Sequence, residues 1–118
     1  MQTLGIQHVT VGVRELDEAV AFYELFGLTR VLSRPDFGFD GAWMQAADQQ
    51  VHIVVTGDRP APDAATHFAF IVEDLDACLA ELDAAGVTYR RLERFVGAGS
   101  QAFVKDPTGN VVELNQPD

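Results

Sequence analysis

The chain has 118 residues, 47% hydrophobic and 22% charged, the proportions of one folded domain. Eighteen Asp and Glu stand against eight Lys and Arg, a net charge of -10. That field repels polyanions, which excludes a nucleic-acid partner and disfavours an anionic membrane surface. No apolar run is long enough to span a bilayer, no signal-peptide pattern opens the chain, and the single Cys78 excludes an internal disulfide or thiolate cluster. The expectation is a cytoplasmic protein.

Residues 6–13 alternate apolar and polar side chains and predict a strand. Leu16, Ala19, Val20, Tyr23 and Phe26 recur at helical spacing. Glu15 stands at the N-cap of that helix, and Gly27 at its left-handed C-terminal end. Strands are predicted at residues 29–33, 42–46 and 50–56, with a loop at 34–41 that carries Phe37 and Phe39. The Pro- and Asp-rich stretch at about 58–65 reads as a linker. A second strand then falls at 67–72. A second helix follows on Leu75, Cys78, Leu79, Leu82 and Ala85, capped by Asp74 and ended by Gly86. Strands at 88–93, 101–105 and 110–115 close the chain, the last two joined by a turn at Asp106-Pro107-Thr108-Gly109-Asn110. Cys78 lies on the apolar helix face and reads as a small core residue.

The order strand, helix, three strands occurs twice. At an offset of 59, His8/His67, Val13/Val72, Leu16/Leu75, Asp17/Asp76, Ala21/Ala80 and Gly27/Gly86 are identical. Such a repeat implies two copies of one supersecondary unit. The fold class is α+β, with two βαβββ modules at about 1–57 and 66–118 in a single domain over 1–118.

All three histidines lie in predicted strands. His8 and His67 are repeat mates, and the counterpart of His52 is Glu113, at an offset of 61. Four metal-competent side chains thus occupy two pairs of equivalent positions. Pleating sets His8 opposite to Val9, Val11 and Val13, His67 opposite to Phe68 and Phe70, and Glu113 opposite to Val112 and Leu114, so these side chains project from the helix-free face. Three imidazoles and a carboxylate suit Zn²⁺, Ni²⁺, Fe²⁺ or Mn²⁺ and leave coordination positions open for a substrate. Phe37, Phe39, Trp43 and Phe103 are candidate walls of an apolar substrate pocket.

These residues carry a resemblance. His8-Val9-Thr10-Val11 followed by Leu16-Asp17 and Phe22-Tyr23, then Gly27-Leu28, Thr66-His67-Phe68-Ala69-Phe70, Asp74-Leu75-Asp76, and Asp106-Pro107-Thr108-Gly109-Asn110 leading to Glu113-Leu114 resemble the vicinal oxygen chelate superfamily. That family includes glyoxalase I, extradiol dioxygenases, fosfomycin-resistance enzymes and bleomycin-resistance proteins. The resemblance implies a cupped mixed sheet with helices on its outer face, folded around a divalent metal at His8, His52, His67 and Glu113. It also implies a homodimer with shared sites, His8 and His52 from one chain and His67 and Glu113 from the other. The expected activity is lyase, isomerase or dioxygenase chemistry on a small substrate chelated through neighbouring oxygens, with Glu113 as the base. The alternative is a metal-free small-molecule binding protein of the bleomycin-resistance type. Glyoxalase I has a carboxylate where His52 stands, bleomycin-binding relatives lack the metal set, and Gly97-Ala98-Gly99-Ser100-Gln101-Ala102-Phe103 lacks most of the hydroxyl and basic residues of the fosfomycin enzymes.

Overall fold

Alternation along the strands and 3.6-residue spacing along the helices set the architecture. The computed structural model describes residues 1–118. They divide into two compact units, Met1–Ala61 and Pro62–Asp118, with the division inside the predicted linker.

Unit 1 contains β1 (His8–Val13), α1 (Leu16–Glu24), β2 (Thr29–Arg30), β3 (Gly41–Ala46) and β4 (Gln49–Val55). Its mixed sheet runs β1-β4-β3-β2. β1 lies parallel to β4, and β3 antiparallel to it. Val11, Val13, Ala42, Met44, Val51 and Ile53 fill one face, where Ala19, Val20, Phe22 and Tyr23 of α1 are also buried. Glu15 caps α1 as expected, accepting the N–H groups of Asp17 and Glu18, both at 2.9 Å.

Unit 2 repeats the plan: β5 (His67–Ile71), α2 (Leu75–Ala84), β6 (Tyr89–Arg91), β7 (Ser100–Lys105) and β8 (Val111–Gln116). Its sheet runs β5-β8-β7-β6. Ala102, Val104, Val112 and Leu114 are buried with Leu75, Leu79 and Leu82 of α2. Asp74 caps α2 through the Ala77 N–H at 3.0 Å.

The strand ends differ from expectation: β3 and β7 start one residue earlier, β4 and β8 shift by one, and β1, β2, β5 and β6 are shorter. Ile6 is exposed and precedes β1, and β2 covers two residues of the five expected. Phe22 joins the core of α1, which the helical stripe omitted, and Ala85 is the exposed C-cap of α2, not part of its packed face. Each module builds its own four-stranded mixed sheet with one helix, the α+β plan of two βαβββ modules expected from the sequence. No helix is long and apolar enough to cross a membrane.

Candidate functional site

The strand registers place the four candidate ligands by one rule in both units. On β1 and β4, His52 pairs with Thr10, two residues after His8. On β5 and β8, Glu113 pairs with Ala69, two residues after His67. The next strand contributes an aromatic in each case, Trp43 opposite His52 and Phe103 opposite Glu113. Residues paired in register share a sheet face. Each unit therefore carries two candidate ligands and an aromatic on the face away from its helix, and neither unit alone gathers three metal-competent groups.

In unit 2 the two ligands are aimed at each other. The Ala64 carbonyl accepts a hydrogen bond from His67 Nδ1 at 2.8 Å. The ring proton is therefore on Nδ1, and the Nε2 edge faces Glu113 Oε1 at 3.6 Å. Glu113 is 7% exposed. Its carboxylate accepts the side-chain amides of Gln101 at 3.2 Å and Asn115 at 3.1 Å, and the Asn115 amide is also held by the Ala98 carbonyl at 2.9 Å. Phe103 meets the His67 ring edge-on, 5.2 Å between centroids.

Unit 1 is arranged differently. His8 and His52 stack face to face, 3.9 Å between ring centres and 16° from parallel. Trp43 stacks on His52 at 4.5 Å and 8°. A chain of glutamines fixes the central ring. Gln45 donates its amide to the carbonyls of Ala47 and Gln49, at 2.8 and 3.1 Å. Its Oε1 therefore accepts from Gln50 at 2.9 Å, which turns Gln50 Oε1 towards His52 Nε2 at 2.8 Å. The His52 proton then sits on Nε2 and the free lone pair on Nδ1. Burial, then the charges of His8 and Arg34, hold the His52 imidazole below its ordinary pKa, which favours the neutral ring.

Beside this stack, a cavity of about 170 Å³ is lined by Thr10, Arg34, Phe37, Phe39, Trp43, His52, Ile53 and Val54. Phe37 lies 5.7 Å from Phe39 and 5.9 Å from Trp43. Three of the four expected wall residues thus line one cavity in unit 1. Phe103 belongs to the unit 2 half-site.

The two halves differ in readiness for a metal. Two donors bound to one tetrahedral ion lie roughly 3 to 3.5 Å apart, close to the His67–Glu113 separation. A ligand histidine also commonly anchors its other ring N–H on a carbonyl, as His67 does. This half fits a divalent ion. Stacked rings instead send their lone pairs along parallel directions, so His8 and His52 must rotate to share one ion. Sequence reasoning missed the groups that orient these ligands: Ala64, Gln101 and Asn115 in unit 2, Gln45 and Gln50 in unit 1, and Arg34 at the cavity. The available signal was spacing by two along a strand, since Gln50 precedes His52, and Asn115 follows Glu113, on the same face.

Comparison with known proteins agrees with this architecture. The chain is similar to a glyoxalase-family protein of Bacillus anthracis, 28% identical over 100% of this chain and 98% of that one, with a TM-score of 0.88. It is also 28% identical to the antibiotic-binding protein TnmS3 of a Streptomyces species, over 100% and 99% of the two chains, TM-score 0.82. The fold extends to a fosfomycin resistance protein of Listeria monocytogenes whose crystal structure holds Mn(II) and a dihydroxypropylphosphonic acid. That protein is 22% identical over 99% of this chain and 95% of the other, with a TM-score of 0.84. Residues 5–114 match the model of one family, and the chain belongs to it: the glyoxalase/bleomycin resistance protein/dioxygenase superfamily.

Proposed function

We propose that the protein is a divalent-metal-dependent enzyme acting on a small oxygenated substrate, with His8, His52, His67 and Glu113 as its metal ligands. The observation that carries this reading is the His67–Glu113 pair. A lone-pair edge and a buried carboxylate oxygen face each other at 3.6 Å, each held from behind by an amide or carbonyl. Such a pair calls for a cation or a proton between its members. When bound, the ion acts as a Lewis acid on two neighbouring oxygens of the substrate. His67 is oriented by Ala64. Glu113 would hold or move a substrate proton at its carboxylate, which Gln101 and Asn115 keep in place.

The set is completed across two copies of the chain, His8 and His52 of one with His67 and Glu113 of the other. Support comes from the split itself, since neither unit holds more than two of the four, and from His8 and His67 both lying on edge strands with an unpaired side.

A second reading, a metal-free binding protein for aromatic compounds, is favoured by the aromatic cavity of unit 1 and by the 28% identity to an antibiotic-binding protein. Calorimetric titration of chelator-stripped protein with Mn²⁺ and Zn²⁺ separates the two. The enzyme reading predicts about one ion per chain, and a loss of roughly 10- to 100-fold or more in affinity for His67→Ala and Glu113→Gln. No saturable binding, or both variants matching the wild type, overturns it in favour of the binding module.

A further inference from the structure

We propose that the unit 1 cavity is a subsite for an aromatic carboxylate: Arg34 selects the anion, and Trp43, Phe37 and Phe39 select the ring. The inference rests on reading this face as the small-molecule site, and it names the class of ligand that the site takes.

Arg34 is under-used for its setting. Its Nε is buried with no hydrogen-bond partner. Of the five N–H donors of a guanidinium, one is engaged, from Nη2 to the Phe39 carbonyl at 3.3 Å. Three of the other six arginines pair with carboxylates, Arg14 with Glu18, Arg91 with Asp76 and Arg94 with Asp118; what sets Arg34 apart is that its unpartnered Nε is buried. Arg34 makes no such pair, although Asp36 is two residues away. The Asp36 carboxylate accepts the Gly38 N–H at 2.9 Å instead. A guanidinium without a carboxylate, in a chain of net charge -10, offers a local anion site in a field that otherwise repels anions.

The surroundings hold this guanidinium in place. Its carbon lies 5.1 and 5.4 Å from the ring centres of Phe37 and Phe39, within cation–π range. Gly41 leaves the room: a Cβ there would stand 2.3 Å from the Ile53 carbonyl oxygen and 2.9 Å from Arg34 Nη2. A side chain at position 41 would therefore collide with fixed backbone and push the guanidinium away. The cavity is partly open, and its volume is the least room it offers a ring. Apolar cavities of roughly 150 Å³ accept benzene, so about 170 Å³ admits one six-membered ring. A carboxylate on that ring would take a charge-assisted hydrogen bond from the Arg34 guanidinium that lines the cavity, with the ring among Trp43, Phe37 and Phe39.

Trp43 is the only tryptophan and lines this cavity, so its fluorescence reports occupancy directly. Benzoate and its uncharged isostere benzamide are titrated into the full chain, with chelator present and at fixed ionic strength and chloride. The expected result is that benzoate binds about tenfold or more tightly than benzamide, the order of a charge-assisted hydrogen-bonded pair. In Arg34→Gln the two probes become equal to within about twofold, with far-UV circular dichroism and melting temperature unchanged. Equal binding of the two probes by the wild type overturns the proposal without reference to any variant. A folded Arg34→Gln that keeps the benzoate preference overturns it as well. Because the titration is free of metal, failure of the metal reading in calorimetry leaves this result standing, and loss of the benzoate preference leaves the metal reading standing.

Discussion

Glu15 and Glu113 are the same residue type put to opposite uses. Glu15 sits in solvent at the head of α1, where two backbone N–H groups hold its carboxyl below the ordinary value. Glu113 is buried on β8, and side-chain amides take the place of water around it. The first stabilises a helix; the second is a buried carboxyl group held by two side-chain amides. The sign of the Glu15 shift gives a prediction. A carboxylate with a depressed folded-state pKa contributes stability that is present above its ordinary pKa of 4.5. That contribution is lost as the pH falls through the lower folded value. Thermal melts of wild type and Glu15→Gln should therefore differ at neutral pH, the wild type melting higher, and converge as the pH falls below 4.5. A difference that stays constant down to the acid limit would contradict the cap's charge as its source.

At the scale of elements, the hairpins between the last two strands of each unit account for a shift in the internal repeat. β3 and β4 are joined by Ala47 and Asp48, and β7 and β8 by the five residues Asp106 to Asn110. Counted between the equivalent ladder pairs Gln45/Gln50 and Lys105/Val111 the second turn is one residue longer, which raises the offset from 60 at Trp43/Phe103 to 61 at His52/Glu113. In the longer turn Asp106, only 3% exposed, accepts the N–H groups of Thr108, Gly109 and Asn110. In the shorter one Ala47 adopts φ 52°, the single non-glycine residue with positive φ. A left-handed alanine costs roughly 1 to 2 kcal/mol, so Ala47→Gly is expected to stabilise the protein by about 1 kcal/mol in chemical denaturation. An unchanged or lowered denaturation midpoint would contradict strain at this position.

The elements themselves were legible because their signals are local: alternation in Val9, Val11 and Val13, helical spacing in Leu75, Leu79 and Leu82, and Asp74 at a cap. The candidate ligands were legible because a repeat places His8 with His67 and His52 with Glu113. The supporting groups were not. Gln45 and Gln50 act through hydrogen bonds that depend on strand register, and Ala64 through a carbonyl, which no side-chain pattern encodes. The orphaned donor of Arg34 becomes visible only when every possible acceptor around it is known.

For the whole molecule, the proposed chemistry depends on one arrangement. In the proposed metal centre, His67 and Glu113 are already oriented by Ala64, Gln101 and Asn115, whereas His8 and His52 rest in a stack with Trp43 that would have to open. The most direct measurement is anomalous diffraction at the Mn absorption edge from crystals grown with Mn²⁺ and no chelator. The expected result is one strong peak for each set of ligands, about 2 to 2.3 Å from the donor atoms of His67 and Glu113 and of His8 and His52 from a second copy, with the two histidine rings no longer parallel. Crystals that show no peak near His67 and Glu113, or a peak bound only by groups outside these four, would contradict it.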